Sequence, residues 1–230
     1  MLQKNISISI SRAVISGLFL LISSFVFAQQ PKRVVVLSDS LPTFRGVQVM
    51  VDLVGPIQRA VSDYGQYEAA VKANFKGKYF PVIEVGYGMA DHSSDAVTNN
   101  SYKSKGVYGR VGMDLNVLKN KDDDYRFYVG ARYAYTNYQF DVANEAIKDP
   151  VWKDDAHVLV ENNKASQHWA ELVAGVDAKI WGALHLGWSL RYKRKLTHKD
   201  SEIGKSWYVP GYGLAGDTRL GATFQVIIEL

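Results

Sequence analysis

Hydrophobic and polar residues alternate with a period of two along most of the chain beyond residue 46. Because successive side chains of a strand point to opposite faces, this pattern predicts strands with one apolar and one polar face. In the first segment Val47, Val49 and Val51 share one face, and Gln48 and Asp52 share the other. The segments, of roughly ten residues each, are 47–53, 67–75, 80–89, 107–118, 125–135, 169–180, 184–193 and 219–230.

The connections between these eight predicted strands alternate in length. The long connections are 54–66, 90–106, 136–168 and 194–218, and the short ones are 76–78, 119–124 and 181–183. An even number of strands joined in this way is typical of a barrel that crosses a bilayer. We therefore predict an all-β fold: an eight-stranded antiparallel transmembrane β-barrel with short periplasmic turns and long extracellular loops.

A soluble barrel of the lipocalin kind shows the same alternation but turns its apolar face inward around a ligand. Two features favour the membrane barrel. The polar face carries charges of both signs, and aromatic residues lie near the strand ends on the apolar face, where they suit a membrane interface. These aromatic residues are Tyr67, Phe75, Tyr125, Phe127, Tyr135, Trp188 and Tyr192.

The charges of the polar face are predicted to form an ion-paired network inside the barrel, because a single buried charge is costly. An interior of this size is just wide enough for side chains to fill. An open channel for ions or small solutes is the alternative, and it needs a wider barrel. The predicted network comprises Glu68, Lys72, Glu84, Arg110, Asp114, Arg126, Arg132, Glu171, Asp177, Lys179, Arg191 and Arg219.

The amino terminus has the pattern of a secretory signal peptide. Lys4 and Arg12 supply positive charge, an apolar stretch follows over 13–27, and Ala28 precedes the expected cleavage point. An uncleaved membrane anchor is the alternative, but the strongest apolar run is shorter than the roughly 20 residues that a spanning helix needs. The predicted organisation is a signal peptide at 1–28, a periplasmic segment at 29–43 and the barrel at 44–230.

Composition removes several kinds of chemistry. The chain has no cysteine, which excludes disulfides, thiol catalysis and zinc held by cysteine. Its net charge of +4 includes two basic residues of the leader, so nucleic-acid binding gains little support.

The histidines and acidic clusters do not form a recognisable catalytic or metal-binding pattern. None of the five histidines has a neighbour at a spacing usual for a metal site. His185 and Ser189 lie four residues apart on one predicted strand, roughly 13 Å from each other, which is too far for a hydrogen bond. The run 122–124 of three aspartates fits a polar turn. We therefore expect no cofactor, no metal and no enzymatic activity; a lipid-modifying enzyme is the least favoured alternative.

Two long connections contain aromatic residues beside charges, a composition that suits recognition of an external partner or glycan. The candidates are Trp152 in the third long connection and Trp207 and Tyr208 in the fourth. The same residues could instead pack over the barrel mouth.

The last strand carries a sharper motif: a polar residue, a glycine two positions later and then alternating apolar residues. With it, residues 44–230 resemble small outer-membrane β-barrel proteins of Gram-negative bacteria, of the eight-stranded class and most like an uncharacterised family. The resemblance implies an assembly signal read by the barrel-assembly machinery at Arg219, Gly221, Phe224 and Val226, although the usual terminal aromatic residue is replaced by Leu230. It also implies a monomer in contact with outer-membrane lipid, with a structural or surface-recognition role.

Overall fold

The computed structural model describes residues 42–93, 100–148, 155–199 and 206–230. The predicted signal peptide and nearly all of the segment 29–43 lie outside these residues. The described part contains one helix, α1 (Val54–Val61). Its strands are β1 (Phe44–Asp52), β2 (Tyr64–Phe75), β3 (Tyr79–His92), β4 (Asn100–Asn116), β5 (Tyr125–Lys148), β6 (Asp155–Trp181), β7 (Leu184–Lys199), β8 (Tyr208–Val209), β9 (Gly213–Leu214) and β10 (Thr218–Glu229).

Eight strands form a closed barrel in the order β1-β10-β7-β6-β5-β4-β3-β2, and every neighbouring pair is antiparallel. The ring closes where β1 meets β10. There the Val47 amide donates to the Leu230 carbonyl at 3.0 Å, and the Leu230 amide donates back to the Val47 carbonyl at 2.8 Å. Closure removes both sheet edges, so among the described strands of the barrel none is left as an open edge facing lipid.

The barrel has its apolar face outside and its charged face inside. Glu84, Arg110 and Asp114 are among its most buried side chains, whereas Leu172 and Ile83 are about two-thirds exposed. This arrangement is the reverse of a soluble ligand-binding barrel, so that alternative is wrong. The outward apolar face and the inward charged face confirm the predicted transmembrane barrel. Further exposed apolar residues are Val49, Val51, Val71, Val85, Val107, Val111, Val129, Leu190 and Phe224.

The strands continue well beyond the segments predicted from apolar alternation. In particular, most of the connection predicted at 136–168 is a hairpin, in which β5 and β6 remain paired as far as Lys148 and Asp155. Apolar residues are needed only where a strand crosses lipid. Beyond the lipid-facing band the ladder of backbone hydrogen bonds continues, but the outward row changes to polar residues such as Asn137 and Gln139, while Tyr138 and Phe140 stay buried inside. The apolar outward row that defined the predicted segment therefore ends before the strand does.

The first long connection contains helix α1. Its start is stabilised by Asp52 at the end of β1, whose carboxylate accepts a hydrogen bond from the Gly55 amide at 2.9 Å. The other oxygen of Asp52 accepts from the Phe224 amide at 3.1 Å, which ties the helix start to β10. Pro56 is tolerated because it lies in the first helical turn, where an amide hydrogen has no helical partner. No helix in the described ranges is long and apolar enough to cross a membrane.

The fourth long connection folds back over the barrel interior. Strands β8 and β9 form a short hairpin between β7 and β10, with Tyr208 paired to Leu214. Tyr208, Val209 and Tyr212 are almost fully buried, in one cluster with Tyr108, Tyr138 and Trp169 of the barrel wall. We call the segment 207–216 the plug hairpin.

Candidate functional site

A balanced layer of buried charges fills the middle of the barrel. Its members lie on the inward-facing positions of six strands, as the alternation dictates. Four are basic and four are acidic, so their formal charges cancel: Lys72, Arg110, Arg132 and Arg191 against Glu68, Glu84, Asp114 and Glu171. We call these eight residues the central charge layer.

Glu84 is the centre of this layer, since it contacts three arginines from three different strands. Arg191 Nη1 lies 2.6 Å from Glu84 Oε2, Arg110 Nη1 lies 3.0 Å from the same oxygen, and Arg132 Nε lies 3.1 Å from Oε1. Arg191 comes from β7, on the far side of the lumen from β3. The contact therefore spans the interior and leaves no straight passage at this level.

The other members of the layer are also paired. Glu171 Oε1 lies 2.9 Å from Arg110 Nε, and Arg132 forms a two-pronged contact with Asp114 at 2.7 and 2.9 Å. Lys72 Nζ lies 2.8 Å from the same aspartate and 4.2 Å from the centre of the Tyr128 ring. Paired in this way, each charge regains from its partners part of the stabilisation that it loses when burial removes its water.

Neutral aromatic donors complete the layer, and the sequence analysis did not single them out. The Tyr108 hydroxyl donates to Glu68 Oε2 at 2.7 Å, and the Trp169 indole nitrogen donates to Glu171 Oε1 at 2.6 Å. Both residues lie on the polar face of their strands. Each is an aromatic residue with a hydrogen-bonding group, and each stands on the charged face of an alternating strand. That placement is the sequence signal that could have identified them.

A second charged cluster lies nearer the short turns. Arg126 Nη2 contacts both carboxylate oxygens of Glu229, at 3.0 and 2.8 Å, and His185 Nε2 lies 3.1 Å from the same carboxylate. Asp177 lies 3.6 Å from both Arg126 and His185. A cavity of about 10 Å³ borders this cluster, with room for about one water molecule.

The plug hairpin closes the opposite side of the central layer. The Gly211 carbonyl accepts hydrogen bonds from Arg110 Nη2 at 2.8 Å and from Lys193 Nζ at 2.7 Å. The Tyr108 ring lies between Gly86 and Gly211, and a Cβ at either glycine would come within 2.5 Å of that ring. Gly211 also has a φ of +79°, which favours glycine. The hairpin is thus fitted into the lumen.

Two residues of the predicted network lie outside it. Lys179 is exposed at the turn end of β6, where it pairs with His185 just before a shift in the strand register. Arg219 is half-buried at the other end of the barrel, where it bonds to the Leu214 carbonyl at 2.7 Å and to the Ala215 carbonyl. Lys193, Glu229 and His185 were not in the predicted set, although alternation places them on the same face.

The aromatic loop candidates have three different placements. Tyr208 is only 2% exposed, so it is not a surface recognition residue. Burial raises the pKa of its phenol, which stays protonated and donates to the Gly65 carbonyl at 3.3 Å. Trp207 is 38% exposed at the mouth of the barrel. Trp152 lies outside the described residues.

Trp207 is held by three other rings, and we call these four residues the mouth cluster. The ring centre of His92 lies 5.4 Å from that of Trp207, and those of Tyr102 and Tyr64 lie 5.7 and 6.0 Å away. His92 is in turn oriented by Asp63, whose carboxylate lies 2.6 Å from Nδ1. The cluster therefore presents part of an indole that is packed among three rings and lies beside polar groups.

The described residues contain no group of three or more histidine, aspartate or glutamate side chains arranged to hold a metal ion. Ser189 is paired with Thr223, their hydroxyl oxygens 2.8 Å apart. His185 faces Asp177 and Glu229 instead of a hydroxyl group.

Comparison with solved structures found small membrane proteins, all distant in sequence. Neisserial surface protein A is 14% identical, with 82% of this chain and 100% of that chain covered and a TM-score of 0.39. The attachment invasion locus protein of Yersinia pestis is 8% identical, with 80% and 98% covered and a TM-score of 0.38. A major outer membrane protein from Thermus thermophilus is 12% identical, with 81% and 100% covered and a TM-score of 0.43. No curated protein matches the chain.

The fold and the interior together define a small β-barrel membrane protein whose lumen is filled by ion pairs and by one of its own loops. Residues 10–229 match the family described as a domain of unknown function, DUF6048. The chain belongs to this family.

Proposed function

We propose that the protein is a closed, non-conducting barrel of the Gram-negative outer membrane that recognises an external ligand through the mouth cluster. The observation that carries the proposal is that Trp207 stays partly exposed at the barrel mouth although three other rings pack against it. The lumen below it is filled, so a ligand would bind at the mouth and not inside the barrel. The proposal includes no enzymatic role, since none of the described charged clusters brings a nucleophile to a base. We propose that the barrel is monomeric and reaches the membrane through the secretory and barrel-assembly machineries.

A sugar ring is the ligand chemistry that fits best. The exposed indole offers an apolar face to the C–H groups of a sugar, and His92 lies beside it with Asp63 as a polar pair that can hydrogen-bond to the sugar hydroxyls. Tryptophan is also among the residue types that most often dominate a binding surface.

The test of recognition is a glycan array probed with the purified barrel in detergent. We expect binding to a subset of glycans that Trp207→Ala weakens by about thirtyfold, the loss usual for a dominant aromatic contact. Trp181→Ala is the matched control, because Trp181 is 83% exposed at the short-turn end of the barrel. Equal binding by wild type and Trp207→Ala would refute the role of the mouth cluster.

Conductance tests the closed lumen separately. In planar bilayers the purified barrel should give no reproducible unitary current steps, because the central charge layer and the plug hairpin both block the lumen. Regular steps of one size would instead support the channel alternative.

A further inference from the structure

An open apolar groove lies on the outer surface of the barrel, apart from both the lumen and the mouth cluster. Its volume is about 430 Å³, within the range of roughly 300–1,000 Å³ usual for small-molecule sites. The groove crosses β1 to β4 below helix α1. Its outward-facing lining residues are Val51, Pro56, Tyr67, Ala69, Val85, Tyr87 and Val107.

The strand register places this groove next to the end that carries the long connections. Tyr67, Tyr87 and Val107 are paired across three neighbouring strands and form one row at its border. Ala69 and Val85, one step further from that end, are also paired. Helix α1 adds Pro56 to the lining, and the next residue, Ile57, is 61% exposed. The groove thus lies at the edge of the lipid-facing band.

A basic residue stands directly beyond the groove. Lys105 precedes Val107 by two residues on the same outward face of β4, about 7 Å closer to the end with the long connections. Lys105 is exposed and has no ion-pair partner among the described residues. Lys103 lies another step further, and its ammonium is 3.8 Å from Asp91. An apolar groove therefore ends at an unpaired positive charge.

We infer that this groove binds one membrane lipid, with an acyl chain against Ala69 and Val85 and an anionic phosphate headgroup at Lys105. Charge complementarity selects this occupant. A bilayer supplies molecules with a phosphate and an acyl chain at this spacing, and the lysine stem can extend along the barrel so that its ammonium reaches the headgroup level. The site is independent of the recognition proposed for Trp207.

The test is native mass spectrometry of the detergent-solubilised barrel with added phosphatidylglycerol or phosphatidylcholine of identical acyl chains. We expect wild type to retain one phosphatidylglycerol, with an affinity about fivefold higher than for phosphatidylcholine, the effect of about one lysine near a headgroup. Lys105→Ala should remove this preference. Ala69→Trp should reduce the retention of both lipids at least tenfold, because the indole fills the groove.

Two matched variants serve as controls. Lys164 is an exposed lysine at the same level on β6, since both it and Lys105 pair with Gln139 of β5. Ala174 is a lipid-facing alanine of β6. Lys164→Ala and Ala174→Trp should retain phosphatidylglycerol as wild type does. An equal amount of inorganic phosphate should not displace the lipid, because the acyl chain supplies much of the affinity.

The inference is overturned if Lys105→Ala keeps the preference for phosphatidylglycerol, or if Ala174→Trp loses lipid as completely as Ala69→Trp. Displacement by inorganic phosphate would also overturn it, since the site would then bind the phosphate group alone. A gel shift between unheated and heated samples verifies that each variant is folded. If Ala69→Trp does not fold, the relative binding of phosphatidylglycerol and phosphatidylcholine by Lys105→Ala tests the inference by itself.

Discussion

Removing the charge of Glu84 is the most informative perturbation of the lumen. Glu84→Gln keeps the size of the side chain but leaves the central charge layer with four cations and three anions. Glu84 is 1% exposed, and its contacts with Arg110, Arg132 and Arg191 range from 2.6 to 3.3 Å. Breaking a buried ion pair from one side costs about 3–5 kcal/mol, because the remaining charge stays buried without compensation.

We therefore expect Glu84→Gln to lower the free energy of unfolding by about 3–5 kcal/mol. The measurement is equilibrium unfolding in urea with the barrel inserted in phospholipid vesicles, followed by the gel shift of the folded form. Asp122→Asn is the control, because the exposed pair between Asp122 and Arg45 should contribute about 0–1 kcal/mol. A loss for Glu84→Gln no larger than that of the control would refute a tightly paired interior.

A double-mutant cycle identifies which contact carries the loss. Arg132→Met combined with Glu84→Gln should destabilise less than the sum of the two single changes, since one charge of each sign is then removed. We expect a coupling of about 0.5–3 kcal/mol, the range for residues in direct contact. Strict additivity would contradict the 3.1 Å contact between Arg132 and Glu84.

Two further changes test the packing of the lumen and the assembly signal. Gly86→Ala would place its Cβ 2.3 Å from the Tyr108 ring and should cost about 1–3 kcal/mol in the same unfolding assay. Gly109→Ala should be milder, because its Cβ would meet only the Glu84 carbonyl oxygen at an ordinary contact distance of 3.9 Å. Equal losses would contradict the position of the ring. Phe224→Ala should lower the fraction of folded barrel in outer-membrane preparations more than Leu220→Ala does on the same face of β10; equal yields would argue against the assembly signal.

The sequence by itself determined which side chains of each strand share a face, and the burial seen in the structure decided which face is the interior. Alternation places Arg110, Glu84 and Asp114 on one face, and because a charged face is costly in lipid, a membrane barrel requires them to point inward. Closing eight strands also limits the interior to a space that side chains fill. The assignment of side chains to a shared face depends on local pattern alone and required no knowledge of contacts.

Pairing partners were decided only by the tertiary structure. Arg191 and Glu84 are 107 residues apart and meet because barrel closure brings β7 across the lumen from β3. Alternation assigns a face but not a level along the axis, and the level depends on strand register. For the same reason Lys179, on the correct face by pattern, lies exposed at the turn end of β6.

The long connections depended most on tertiary packing. Residues 207–216 have no periodic pattern that predicts a plug. The adjacent residues Trp207 and Tyr208 also differ in environment, since Trp207 is partly exposed at the barrel mouth and Tyr208 is buried below it. The hairpin is held by barrel donors on β4 and β7, Arg110 and Lys193. A loop with few local interactions takes its conformation from the surface that receives it, and that surface exists only once the barrel has closed.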